Sequence, residues 1–270
     1  MKFVFAVILG LGLGLGLASQ AQADEALKQA IASPDRTPAF VARDPWRHPY
    51  ETLKFFEIQA NSTVVELSPG GGWYTEILAP YLREKGQLIL AAEDPQSPKP
   101  EAVKSLERLQ SKLKASPQRY DKVVVGVFAP VEKLNYAAPG SADLVLTFRN
   151  VHNWLASGNL GVRAVFDSAF RSLKNGGVLG VVEHRLPADR TQDATSSTGY
   201  VHQAYVIEMA TASGFRFDSS SEINANPQDA ANHVGGVWAL PPSLVNKEVD
   251  KSKFQSIGES DRMTLKFVKP

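Results

Sequence analysis

The 270-residue chain is 43% hydrophobic and 21% charged, with 29 basic against 28 acidic residues and no cysteine. So even a balance gives no long-range pull toward phosphate backbones, and no Lys/Arg cluster marks a nucleic-acid face, so no nucleic-acid partner is expected. The lack of cysteine excludes a disulfide framework and lipidation of an N-terminal Cys.

The chain starts MKFVFAVILGLGLGLGLASQAQA. Lys2 supplies a positive n-region, Phe3 to Leu17 an apolar h-region, and Ala21-Gln22-Ala23 a small-residue cleavage site. The apolar run is short for a membrane span of ~20 residues, so a cleaved signal peptide is preferred to an uncleaved anchor. The expectation is an exported, periplasmic or secreted protein with no stable membrane anchor after cleavage. Residues 24–270 then form a single domain, and loss of Lys2 makes its basic and acidic residues equal in number.

Asp24 to Tyr50 is rich in Pro, Arg and Asp and is expected to wrap the surface irregularly. Glu51 to Gln59 reads as a short helix carrying Leu53, Phe55 and Phe56. Strands and helices then alternate. Strands are expected at Thr63–Leu67, Gln87–Ala92, Lys122–Phe128, Asp143–Phe148 and Val178–Glu183. Helices are expected at Trp73–Leu82, Glu101–Ala115 and Leu160–Leu173, with Pro80 kinking or shortening the first of them. Near-continuous Val/Ile/Leu strands separated by helices indicate an α/β fold with a parallel sheet covered on both faces.

The last third reads as a helix within Gly199–Gly214, a strand at Phe215–Phe217 and a late insertion over about residues 218–245. A hairpin is expected around Gly235 to Leu240, and alternation in Arg262–Lys269 suggests an edge strand.

Chemistry concentrates at three places. Val64 to Leu82, VVELSPGGGWYTEILAPYL, runs from a strand ending in Glu66 through Ser68, Gly70, Gly71 and Gly72 into an amphipathic helix. Glycines there let a nucleotide-like ligand approach the backbone, and the absence of Lys excludes a P-loop. Ligands of open α/β sheets bind beyond the carboxyl ends of strands, which brings Phe148 to Trp154 to the pocket. His152 suits a general base, Asn150 and Asn153 can orient an acceptor, and Trp154 can stack on it; a helix cap with a packed His and Trp is the other reading. Glu183, His184 and Arg185 end the fifth strand, as substrate ligands or as a structural ion pair. Tyr200, His202 and Tyr205 suit a lid or partial core. The five histidines show no metal-ligand spacing, so no metal is expected, although His152 and His184 can meet at the strand ends. No Gly-x-Ser-x-Gly elbow is present.

The strings VVELSPGGGW, LILAAED, ADLVLTFRNVHNW, LKNGGVLGVVEHR and TASGF resemble, in order and spacing, a class I S-adenosylmethionine-dependent methyltransferase over roughly Pro45 to Pro270. FRNVHNW and ESDRMTLKF are similar to an exported branch of predicted methyltransferases. The resemblance implies a Rossmann-like fold with a mostly parallel seven-stranded sheet, helices on both faces and an antiparallel last strand. It implies S-adenosylmethionine as cofactor and a small or envelope-associated methyl acceptor. It further implies that the acidic-x-Gly-x-Gly-x-Gly loop corresponds to Glu66, Ser68, Gly70 and Gly72, with serine at the first glycine. The ribose carboxylate is then Glu93, with Asp94 beside it, and Arg149 and Gly71 complete the cofactor contacts. His152, Asn150, Asn153, Glu183 and His184 are the catalytic candidates. Ala129-Pro130 follow the third strand, where the family often has an acidic residue. An exported ligand-binding protein that keeps this fold without catalysis is the alternative.

Overall fold

A computed structural model describes residues 12–270. The expected n-region and the apolar run up to residue 11 lie outside the described residues. Helix α1 (Gly12–Ile31) continues through the expected cleavage point, and α2 (Pro38–Val41), α3 (Asp44–Arg47) and α4 (Pro49–Phe55) follow. This corrects the irregular wrap expected for 24–50. Each short helix has proline in its first turn, where a missing N–H leaves no bond unmade. The prolines that read as breakers are helix starters. Leu27 of α1 is 1% exposed and shares an apolar cluster with Leu53, Phe56, Ile77 and Tyr81.

The alternating elements follow: β1 (Thr63–Leu67), α5 (Thr75–Leu82), β2 (Gln87–Glu93), α6 (Pro100–Ala115), α7 (Pro117–Tyr120), β3 (Val124–Phe128), β4 (Ala142–Phe148), α8 (Val151–Leu155), α9 (Gly158–Ser172) and β5 (Leu173–Leu186). Then come β6 (Val201–His202), α10 (Gln203–Ala212), β7 (Arg216–Ser221), α11 (Lys251–Ile257) and β8 (Arg262–Val268). The order across the sheet is β3-β2-β1-β4-β5-β8-β7, with β6 paired to β5. Strands β1 to β5 pair in parallel, whereas β8 is antiparallel to both β5 and β7. The expected fold class holds, with eight strands because of the two-residue β6.

Two further corrections concern the last third. The final strand is not an edge: β8 lies between β5 and β7, and Arg262 and Thr264 are as buried as Met263 and Leu265. Alternation reports two unlike faces, not a free backbone, and the edge is β7. Instead of a hairpin, Gly236–Ala239 makes one turn of 3-10 helix.

Side-chain alternation divides the core into two layers. Val65, Leu67, Ile89, Val145 and Val181 pack with Trp154, Phe166 and Val206 from α8, α9 and α10. Val64, Leu88, Leu90, Leu144 and Val182 pack under α1, α4, α5 and α6. Pro80 does not end α5: its missing donor leaves the Glu76 carbonyl free, and Arg119 Nη2 supplies the bond at 3.0 Å. Among the described residues no helix is long and apolar enough to cross a membrane.

Because Leu27 is part of the core, Leu27→Ala is expected to cost about 2–5 kcal/mol in urea unfolding. An unchanged midpoint would detach α1 from the folded unit.

Candidate active site

The chain leaves β1 toward β2 and β3 on one side, and returns to β4 and β5 on the other. At this switch the strand ends diverge, and a cleft of about 370 Å³ opens there. Its walls are Ser68 to Gly71 after β1, Phe148 to Asn150 with His152 and Asn153 after β4, and His184 on β5. Arg43 and Arg47 enter from the N-terminal helices, and Glu259 and Ser260 from the turn before β8. Val237, Trp238, Pro241, Pro242 and Ser243 cover it, so the late insertion is part of the cleft rather than a surface excursion.

The base candidate is held firmly. Glu183 has no exposed surface, and its Oε1 lies 3.0 Å from His152 Nδ1. Its Oε2 accepts the Val151 N–H at 2.5 Å and the His152 N–H at 3.3 Å, and the His184 N–H donates to Oε1 at 2.8 Å. An ionised carboxylate so placed favours the tautomer in which Nδ1–H donates, leaving the His152 Nε2 lone pair unprotonated. His152 lines the cleft, and Trp238 stands edge-on to its ring with centroids 6.0 Å apart.

His184 sits 5.4 Å from His152, ring to ring, and its Nδ1 is 2.5 Å from Ser260 Oγ. Burial, then the charges of His152, Arg149, Arg262 and Arg47, drives its pKa well below the usual imidazole range, so it is neutral. Ligand atoms of His152, Glu183 and His184 come within 4.8 Å of one another. The histidines therefore meet without a sequence spacing, yet the surrounding guanidiniums oppose a dication, and Glu183 already serves four N–H groups.

Asn150 has a different role from the one expected. Its Nδ2 donates to Leu67 O and Thr147 Oγ1, each at 3.1 Å, and to Ser68 O at 3.4 Å, tying β4 to the glycine loop. Asn153 is exposed at the cleft wall. Trp154 follows the packed alternative: it lies in the core against Phe128 and Phe166, because the α8 turn points it away from the cleft. Tyr200, His202 and Tyr205 do not reach the cleft; Tyr200 bonds the Asp229 carboxylate at 2.9 Å. Arg185 serves Asp261 and Glu222.

The loop turns on left-handed backbone at Ser68 (φ 47°), Gly70 (φ 56°) and Gly72 (φ 77°). That conformation costs an L-residue such as Ser68 about 1–2 kcal/mol, which the glycines avoid. The Ser68 N–H bonds Ala91 O at 3.0 Å, joining the loop to β2. A Cβ on Gly70 would meet nothing within 4 Å, so that side of the loop is open.

The carboxylates expected to hold cofactor separate. Glu66 does not line the cleft; it is buried, accepts Thr75 Oγ1–H at 2.7 Å, and is pushed up to about 8 by burial. Asp94 is engaged by Lys133 at 2.7 Å and the Gln96 N–H at 3.1 Å. Glu93 has a buried Oε2 with no partner, and burial raises its pKa. Glu93, Asp94, Gly72 and Glu183 all lie outside the cleft lining.

Missed from sequence was a cluster of arginines on one carboxylate. Glu259 meets Arg43 at 2.5 Å, Arg47 at 3.2 Å and Arg262 at 3.1 Å. Burial alone would raise this carboxyl, but Arg47, Arg262, Arg43 and Arg149 hold it at about 2. The one available signal was Arg43 and Arg47 four apart, one helical turn, on either side of Pro45.

Sheet order, antiparallel β8 and a glycine loop at the switch point define the Rossmann-like methyltransferase fold. Geranyl diphosphate C-methyltransferase from Streptomyces coelicolor A3(2) superposes with TM-score 0.57 at 11% identity, over 89% of this chain and 87% of that one. A SAM-dependent methyltransferase from Aquifex aeolicus gives TM-score 0.51 at 17% identity, over 74% and 93%. The cyclase SpnF gives TM-score 0.55 at 13% identity, over 94% and 95%. These likenesses establish the fold; fold by itself does not fix the chemistry. No family model and no curated protein sequence matches the chain.

The raised Glu66 pKa has a testable sign. From about pH 4 to pH 8 the unfolded carboxyl ionises while the folded one stays protonated, so stability falls with rising pH and levels off above about 8. Glu66→Gln is expected to gain on the wild type across that window, on the order of a few kcal/mol in urea unfolding. Parallel curves would mean that Glu66 is ionised in the fold.

Proposed function

We propose that the chain is an exported S-adenosylmethionine-dependent methyltransferase acting on a small or envelope-associated acceptor. The observation that carries this reading is the buried Glu183 carboxylate behind His152, which turns a basic nitrogen into a cleft bordered by the glycine loop. The fold neighbours named methyltransferases support it.

The residues present fit the cofactor. Glu93 ends β2 beyond the cleft lining, where its Oε2 has no protein donor and suits the ribose hydroxyls of a cofactor that extends past the loop, and the open side of Gly70 leaves room for a ligand against the backbone. Bound S-adenosylmethionine supplies an electrophilic methyl on a sulfonium, which becomes a neutral thioether when a nucleophile takes the methyl. The protein's work is positioning and proton removal. His152 Nε2 accepts the acceptor's proton, and Glu183 orients the ring and stabilises the imidazolium that results. Asn150 is a positioning residue that keeps the loop and β4 in register. Trp238 and Pro241 exclude water from the cleft. Asn153 meets the acceptor at the entrance.

Calorimetry of the purified protein with S-adenosylhomocysteine is expected to give saturable binding, with Glu93→Gln weaker by about tenfold or more. No heat at millimolar ligand overturns the proposal, and undiminished binding by Glu93→Gln overturns the ribose assignment. Export is checked separately: mass spectrometry of the protein from the cell envelope is expected to find an N-terminus at Asp24, and an intact Met1 would refute cleavage.

A further inference from the structure

We infer that the acceptor carries an oxyanion group, phosphate or carboxylate, seated between Arg149 and Arg47 on the β5–β8 side of the cleft. This rests on the methyltransferase reading and names the substrate class of the same site. Arg47 is 2% exposed; its Nε reaches Glu259, but its Nη2 is buried with no partner. Arg149 faces the same cleft and makes no side-chain hydrogen bond among the described residues; only its backbone N–H is used, to Val182 O at 2.7 Å. Two guanidiniums thus have donors to spare, and guanidinium forks match phosphate and carboxylate geometry.

Charge counting points the same way. Arg43, Arg47 and Arg262 are bonded to one carboxylate, Glu259, on which the Arg149 charge also acts, while the other carboxylate nearby, Glu183, is spent on four N–H groups. Burial lowers the pKa of Arg149 to about 10, and burial followed by the Arg149 charge lowers that of Arg47 well below its usual value. S-adenosylmethionine cannot redress this, because its sulfonium and ammonium outnumber its single carboxylate. An anionic acceptor offsets it.

Position decides which ligand the arginines serve. Arg149 follows β4, and Arg262 pairs in register with His184 across β5 and β8. Glu93, the ribose candidate, ends β2 on the far side of β1. Arg149, assigned by resemblance to the cofactor, therefore stands beside the two histidines, where the acceptor must lie if His152 is to take its proton.

The test is titration of the protein, saturated with S-adenosylhomocysteine, with inorganic phosphate and separately with benzoate. Either anion is expected to bind, more weakly as salt rises, and Arg149→Gln to weaken it by about tenfold while leaving S-adenosylhomocysteine affinity within about twofold. Arg149→Lys, which keeps the charge but loses the fork, is expected to fall between. If neither anion binds the loaded protein at tens of millimolar, the inference fails while the methyltransferase reading stands. Loss of S-adenosylhomocysteine affinity in Arg149→Gln, with anion binding unchanged, returns the arginine to the cofactor and also overturns it. If S-adenosylhomocysteine itself does not bind, the methyltransferase reading fails, and the same titrations of the free protein decide the arginine site alone. Should Arg149→Gln not fold, as judged by circular dichroism, Arg149→Lys carries the comparison.

Discussion

Glu183 takes four N–H donors on two carboxylate oxygens while shut off from solvent, and the functional end of the molecule is organised around it. A buried carboxylate is expensive unless its lone pairs are met, and here the first two N–H groups of α8, the next residue of β5 and the His152 ring meet them. The same contacts fix where α8 begins, how His152 points and how β4 leads into the cleft. Structure and reactivity are therefore coupled: removing this carboxylate would leave orphaned helix donors as well as an unoriented imidazole.

The second constraint is electrostatic and joins distant parts of the chain. Glu259 draws Arg43 and Arg47 from the N-terminal helices to Arg262 at the start of β8, closing one wall of the cleft. Arg262 also donates to the Trp46 carbonyl, and the Arg47 guanidinium lies 4.7 Å over the Trp73 ring. Among the described residues Glu259 is the one carboxylate bonded to these three guanidiniums, whose charge disfavours a metal dication beside them. Ser68 fits the same picture of a built site: a left-handed serine where a glycine would be unstrained persists only because Ala91 and Asn150 hold its backbone.

The strands were legible because their two-residue period follows from covalent geometry: Val64 and Val65, or Leu144 and Val145, must face opposite layers whatever surrounds them. Helices α6 and α9 were legible for the equivalent reason at a 3.6-residue period. The Pro-rich stretch was misread because proline ends one helix and starts another, and local pattern does not say which. Trp154 stayed open between stacking and packing because one helical turn decides whether an aromatic faces core or ligand.

What the sequence by itself determined was the alternation of elements, the glycine turn after β1 and the grouping of Asn150, His152 and His184 near strand ends, all consequences of short-range chain geometry. Only the tertiary structure decided that β8 lies inside the sheet, that Glu183 stands behind His152, that Glu93 rather than Asp94 has a free oxygen, and that Val237, Trp238 and Pro241 to Ser243 cover the cleft. It also brought Arg43 and Arg47 to Glu259. Each of these depends on residues far apart in the chain sharing one buried volume, where charge and hydrogen-bond demands are settled together and no local pattern records the outcome.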